Sequence, residues 1–286
     1  MIGRSHLFRR VTIVGIGLMG GSLGLAIKKY GLAREVIGLS QSQSSLMEAE
    51  KMGAIDKGMT DIKKAVQNVD LVVLATPVDD IIKLFDMINP YLRRGTIVTD
   101  VGSTKTEILD AAQKTLNFSY NFVGSHPLVG SEKKGVESAR ADLFEGAICI
   151  MTWHAKTSNQ AKERVKQLWA KVGASVKSLS PEEHDETLAY ISHVPHLIAY
   201  ALLDSIPAKY LPLASGGLKD TTRIAGSSPQ VWKDISLSNS KNMVKALDEF
   251  VQRLKLLRQA MAERDEKILL DMFTKAKEKR DSITHG

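Results

Sequence analysis

The 286-residue chain has a single cysteine, Cys149, so no internal disulfide can form. Its place in the apolar run Ala147-Ile-Cys-Ile-Met151 reads as a buried strand thiol rather than a nucleophile, and such usage fits a reducing compartment. Long hydrophobic runs are also missing. Stretches such as Leu71 to Ala75 are strand-sized, far short of the ~20 apolar residues a bilayer-crossing helix needs. Arg4, Arg9 and Arg10 precede an apolar stretch, but no small-residue cleavage site follows, which argues against secretion. A soluble, cytoplasmic protein without a membrane partner is therefore expected. The chain has neither internal repeats nor a low-complexity linker. The net charge is +7, yet the basic residues are scattered, so nucleic acid is not an expected partner. The cluster from Lys275 to Arg280 is broken by Ala276 and Glu278 and reads as a solvated tail. The surplus positive charge suits small anionic molecules.

What the sequence does have is a patterned glycine run, Val11-Thr-Ile-Val-Gly15-Ile-Gly17-Leu18-Met-Gly20-Gly-Ser22-Leu-Gly24. A β-branched strand breaks into glycines and continues as an apolar helix. Gly15 permits the turn, Gly17 lets backbone N–H groups approach a pyrophosphate, and Gly20 lets the helix lie close on its strand. The implied ligand is a dinucleotide; a glycine turn with no ligand is the alternative. The place where NAD-preferring folds carry Asp or Glu, some 20 residues on, reads Gly38-Leu-Ser40-Gln-Ser42. The missing carboxylate makes NADP plausible, and no neighbouring arginine favours a 2′-phosphate strongly. The choice stays open between NAD and NADP, with a slight lean to NAD.

Strand-like runs at Val11 to Gly15, Val36 to Leu39, Leu71 to Ala75, Ile97 to Asp100, Phe122 to Gly124, Ala147 to Met151 and Ser175 to Leu179 alternate with helical stretches. The clearest of these helices, Ser158 to Val172, aligns Ala161, Val165, Leu168, Trp169 and Val172 on one face before Gly173. This alternation predicts an α/β fold: a doubly wound, Rossmann-type dinucleotide-binding domain over residues 1–179. Ser180-Pro-Glu-Glu183 then marks a helix start, with a capping serine and glutamate and a proline at the first helical position. No strand is evident beyond it, and residues 180–286 are expected to form an all-α substrate and dimerisation domain. Met243, Leu247, Phe250, Leu254, Leu257 and Met261 recur at spacings of four and three. That seam points to a homodimer interface, or else to an ordinary core-facing helix.

Three further constellations bear on chemistry. Asp100-Val-Gly-Ser103-Thr-Lys105 follows a strand, where open α/β sheets present ligand-facing loops. Gly124-Ser-His126-Pro127-Leu-Val-Gly130-Ser-Glu132 does the same, and His126 can set a neutral imidazole beside a reacting hydroxyl as general base; a structural loop histidine is the alternative. In the helical part, His193 and His196 share a helix face if the helix survives Pro195. A metal is not expected, because no third ligand accompanies them. Downstream, Lys219-Asp-Thr-Thr-Arg223 offers cations, and Arg223 presents a planar fork suited to a carboxylate.

These pieces, together with Ala75-Thr76-Pro77, stand in an order that resembles the prephenate/arogenate dehydrogenases of tyrosine biosynthesis over nearly the whole chain, in a monofunctional form. The resemblance implies an oxidative decarboxylation in which hydride leaves the hydroxyl-bearing ring carbon for the nicotinamide and carbon dioxide leaves as the ring aromatises. It gives His126 the role of polarising or deprotonating the hydroxyl, and it has Ser103 hold that hydroxyl in register with the nicotinamide. It also implies that Arg223 and His196 bind the small-molecule substrate, with Glu132, His193 and Trp232 around the pocket. By the same resemblance, Gly15, Gly17, Leu18, Gly20, Ser40, Thr76 and Ser103 are expected to hold the cofactor. Prephenate is the implied substrate and arogenate the alternative; a different two-domain dehydrogenase and a non-catalytic dinucleotide sensor are the competing classes. Were His126 to keep an ordinary pKa, activity would fall with acid near ~6.5.

Overall fold

The computed structural model describes residues 6–129 and 133–284. The first glycine run folds as β1 (Phe8–Val14) leading into α1 (Leu18–Lys29), followed by β2 (Ala33–Leu39), α2 (Gln43–Lys51), β3 (Lys57–Met59), α3 (Ile62–Val66), β4 (Leu71–Leu74), α4 (Val78–Ile88), β5 (Ile97–Asp100) and α5 (Thr106–Thr115). Next come β6 (Phe122–Pro127), β7 (Ile148–Thr152), α6 (Asn159–Lys171) and β8 (Ser175–Ser178). The strands form one sheet in the order β3-β2-β1-β4-β5-β6-β7-β8. All neighbours run parallel except β6 and β7, where His126 lies opposite Ile150.

Register fixes where the site lies. Val14 stands beside both Leu39 and Leu74, and Leu74 beside Asp100, so the chain leaves β1, β4 and β5 along a single sheet edge. The central strands are buried on both faces, as a doubly wound sheet requires. One face packs Leu23, Ala26 and Ile27 of α1 with Val165, Leu168 and Trp169 of α6. The other packs Ile81, Phe85 and Ile88 of α4 with Ile108 and Leu109 of α5. Phe144 meets Trp169, and Phe85 meets Phe122, each edge to face.

Local chemistry sets the helix ends. Ser158 caps α6 by accepting from the Ala161 N–H, and Gly173 ends it with φ +95°. Two details depart from the sequence expectation. β3 is a three-residue edge strand with little β-branched content, and β6 continues through His126 to Pro127 because β7 pairs with that extension.

After β8 only helices follow among the described residues: α7 (Pro181–Leu188), a π-turn over Ala189–His193, α8 (Val194–Ser205), α9 (Gly216–Thr222), α10 (Pro229–Ser238), α11 (Ser240–Glu263) and α12 (Glu266–Thr284). Ser180 and Glu183 make the reciprocal capping box at the start of α7. By internal contact the chain forms two compact units, residues 1–239 and 240–286, so α7 to α10 cohere with the sheet.

In the second unit, α11 and α12 join through Arg264 (φ +56°), with Asp265 capping the Ile268 N–H. Of the apolar seam, Met243 is buried whereas Leu254 and Met261 are exposed, as are Leu270 and Phe273 on α12. The basic cluster from Lys275 to Arg280 is thus not an extended tail. It lies on α12, where Lys275 pairs with Asp271 and Lys277 with Asp281 one turn apart. No helix among the described residues is long and apolar enough to cross a membrane.

Candidate active site

A cavity of about 800 Å³ opens at the carboxyl ends of the central strands, and its wall includes Gly17, Leu18, Thr76, Ser103, His126, His193, His196 and Trp232. Gly15 and Gly20 shape this region from behind. At Gly15 the φ is +91°, and an added Cβ would lie 2.6 Å from the Ala75 carbonyl oxygen. A Cβ on Gly20 would lie 2.0 Å from the Gly15 oxygen, so the helix can approach the turn only as glycine. Gly17 differs, since nothing stands within 4 Å of a Cβ built there.

The amino end of α1 lacks a side-chain cap and has no acidic residue in its first turn, leaving its N–H groups for an anion. Nearby, the buried Thr76 Oγ1 makes no hydrogen bond among the described residues. An uncapped helix end, open space at Gly17 and an orphaned hydroxyl together fit the diphosphate and ribose of a dinucleotide.

His126 is held from beneath. Lys105 and Asp100 form a fully buried ion pair. Lys105 Nζ also donates to the Ser125 carbonyl at 3.1 Å, and Asp100 accepts from the Ser125 and Gly102 N–H groups at 3.0 and 2.8 Å. The end of β6, which carries His126, is thereby tied to the end of β5 and the loop after it, which carries Ser103. His126 Nδ1 lies 2.9 Å from His184 Nε2, and His184 Nδ1 lies 2.8 Å from Asp185 Oδ1. Asp185 in turn caps α5, accepting from the Lys105 and Thr106 N–H groups at 2.8 and 2.9 Å. Its backbone carbonyl accepts from Asn239 Nδ2 at 2.7 Å, and that amide lies 3.1 Å from His193 Nδ1.

These surroundings keep the imidazoles neutral. Burial, reinforced by the charges His184, Lys105 and His193 would present, holds His126 well below the ordinary histidine value. Burial likewise lowers His184 and brings His193 down to about 4. Burial would raise Asp185, but the hydrogen bonds from His184 and Thr106 outweigh it and keep the carboxyl below its usual range. Beneath His126, burial pushes the Cys149 thiol up, as expected for an inert thiol.

The π-turn before α8 accommodates Pro195 at the second position of that helix and sets His193 and His196 on the cavity wall. His196 donates from Nδ1 to the Ser192 carbonyl at 2.8 Å and stacks on Trp232, ring centroids 3.7 Å apart. Burial lowers its pKa, and the nearby charge of Arg223 lowers it further. Arg223 itself is exposed on the one-turn helix after α9. Ser40, at the end of β2, is not on the cavity wall; its Oγ accepts from the Ser42 N–H at 3.1 Å. Glu132 lies outside the described residues.

His184, Asp185 and Asn239 join the site although sequence reasoning does not find them. His184 and Asp185 sit in the first turns of α7, where they read as ordinary helix-start residues. Nothing in their spacing ties them to His126, 58 positions away.

Comparison with known proteins agrees with this architecture. The family model for the prephenate dehydrogenase nucleotide-binding domain matches residues 23–178, and that for the prephenate dehydrogenase dimerization domain matches residues 180–275. The chain is similar to the prephenate dehydrogenase of Bacillus subtilis, 37% identical over 96% of this chain and 76% of that one. It is also similar to the cyclohexadienyl dehydrogenase of Zymomonas mobilis, 33% identical over 96% of both. Among solved structures, prephenate dehydrogenase from Aquifex aeolicus in complex with hydroxyphenyl propionate and NAD+ superposes with a TM-score of 0.90 at 34% identity, covering 96% of this chain and 98% of that one. Two domain matches in the order the fold displays them, with relatives 33% and 37% identical over 96% of this chain, place the chain in the prephenate dehydrogenase family.

Proposed function

We propose that the chain oxidatively decarboxylates prephenate to 4-hydroxyphenylpyruvate with NAD, in tyrosine biosynthesis in the cytoplasm, and that His126 accepts the ring-hydroxyl proton. The observation that carries this assignment is a histidine on the cavity wall, held neutral by burial, within the same cavity as the uncapped end of α1. A bound dinucleotide supplies the acceptor for hydride from the carbinol carbon. Gly15, Gly17, Leu18, Gly20 and Thr76 would hold it, with Ser40 towards its adenosine ribose. As hydride departs, His126 takes the hydroxyl proton. The bond to the ring carboxylate then breaks, and its electron pair completes the aromatic ring. The phenolic oxygen regains its proton from His126, so the reaction needs no net proton exchange with solvent.

Ser103 positions the hydroxyl opposite His126. Arg223 and His196 bind carboxylate, His196 being braced by Trp232. His193 and Glu132 complete the pocket. Residues 1–179 serve the dinucleotide; residues 180–286 serve substrate and pair two copies through apolar positions such as Leu254, Met261, Leu270 and Phe273.

The preference for NAD draws on the Aquifex relative's complex and on the absence of an arginine beside Ser40. The likeness to the solved arogenate dehydrogenase of Synechocystis makes arogenate the second substrate to try. Purified protein is mixed with prephenate or arogenate, each with NAD and with NADP, beside a His126→Asn control, and nicotinamide reduction is followed. Rapid reduction with prephenate and NAD, lost in the control, is expected. Reduction only with arogenate or only with NADP would correct the assignment, and binding without turnover in any pair would favour a sensor.

A further inference from the structure

We propose that His184 and Asp185 are positioning residues that lock His126 in the Nδ1–H tautomer, leaving Nε2 as the unprotonated nitrogen that meets the substrate hydroxyl. The hydrogens can be placed from one end of the relay. The N–H groups of Lys105 and Thr106 can only donate, and both point at Asp185. Asp185 is therefore an acceptor at both oxygens. His184 Nδ1, 2.8 Å from Oδ1, must carry a hydrogen. A neutral His184 then has a bare Nε2, which can only accept, and His126 Nδ1 at 2.9 Å must donate to it. With one hydrogen on a neutral ring, His126 Nε2 is left with a lone pair.

The same carboxylate acts on both sides of the reacting hydroxyl. It fixes the start of α5, at the N–H groups two and three residues beyond Ser103, and through His184 it fixes His126. When His126 holds the borrowed proton, the imidazolium still donates to His184, whose other edge faces the carboxylate. A wrong tautomer would instead present an N–H to the substrate hydroxyl, and base catalysis would be lost.

The inference rests on His126 as the proton acceptor, but its first test does not require turnover. Ring nitrogen shifts are recorded on protein labelled with 15N-histidine, His126 being assigned by its loss in His126→Asn. Wild type is expected to show a protonated Nδ1 and a bare Nε2 at His126 near neutral pH. The second test is kinetic. His184→Leu cannot accept from His126 and should lower kcat about 100-fold with KM and cofactor affinity little changed. His184→Gln should recover most of that loss, since its carbonyl can accept from His126 while its amide donates to Asp185. A protonated Nε2 in wild type, or a folded His184→Leu with unchanged kcat, would overturn the proposal. If His184→Leu does not fold, the wild-type and His184→Gln spectra decide. Absence of turnover in wild type with the expected tautomer would refute the proposed reaction and leave the relay standing.

Discussion

Acid should unfold this protein partly through His193, and the size of the effect can be worked out. The Asn239 amide is oriented by the Asp185 carbonyl, which accepts from it, so the same NH₂ faces His193 Nδ1. Burial penalises a charge on His193 and outweighs the pull of the Asp185 carboxylate, and the charges that His184 and His196 would present lower it further; a proton added at Nδ1 would also meet a donor. The pKa falls to about 4, against ~6.5 in the unfolded chain. Because the folded value is the lower one, the unfolded state binds more protons below pH 6.5, and stability is lost as pH falls through the window between the two values. Between pH 7 and pH 5 the unfolded histidine becomes almost fully protonated while the folded one scarcely changes. This costs about 2 kcal/mol of stability. His126, His184 and His196 are also lowered and add to the total loss, so a variant is needed to isolate His193. His193→Gln keeps an acceptor for the Asn239 amide and does not titrate. Urea unfolding followed by circular dichroism at pH 7 and pH 5 should show a drop about 2 kcal/mol smaller in the variant than in wild type. Equal drops in both proteins would refute the assignment of neutral His193 to the folded state.

Other outcomes follow from the same geometry. The acid limb of kcat should lie below pH 6.5, because burial lowers His126; a limb at or above that value would contradict a buried base. His126→Asn should lose about 10²- to 10⁴-fold in turnover while dinucleotide affinity, measured by titration calorimetry, is nearly kept. Arg223→Ala should raise the Michaelis constant for substrate more than it lowers kcat, and an unchanged constant would remove Arg223 from substrate binding. Gly20→Ala should lower the melting temperature, since its Cβ has backbone 2.0 Å away, whereas Gly17→Ala should keep the melting temperature and weaken dinucleotide binding. The opposite ranking would mean that the diphosphate does not lie over Gly17.

The alternation of apolar runs was enough to show the layered sheet, and the β1–α1 turn was legible because glycine is required there by contacts a Cβ would violate. The helix start at Ser180 was equally plain, since a capping box is a local code in side-chain spacing. The edge strand β3 was not, because three residues held by pairing with β2 leave no periodic trace. His126 stands out in the sequence through its motif, but the residues that contact it do not. His184 and Asp185 are brought beneath it by the packing of α7 on α5, and that distance is set by tertiary structure alone. The division of the chain shows the same limit: change of pattern at Ser180 is visible in sequence, whereas the adherence of α7 to α10 to the sheet depends on contacts that no local signal encodes.

The buried pair of Lys105 and Asp100 also restricts how this sequence can drift. Removing either partner alone strands the other charge without water, a loss of about 3–5 kcal/mol, which is a large fraction of the roughly 5–15 kcal/mol that holds a domain together. Replacing both at once with apolar residues of similar volume strands no charge, yet it would orphan the buried Ser125 and Gly102 N–H groups and delete the cation that helps to keep His126 neutral. Each route by which the pair could disappear thus meets a stranded charge, orphaned N–H groups or a change in the acid range over which the base works, so a substitution at one position is constrained by the residue at the other.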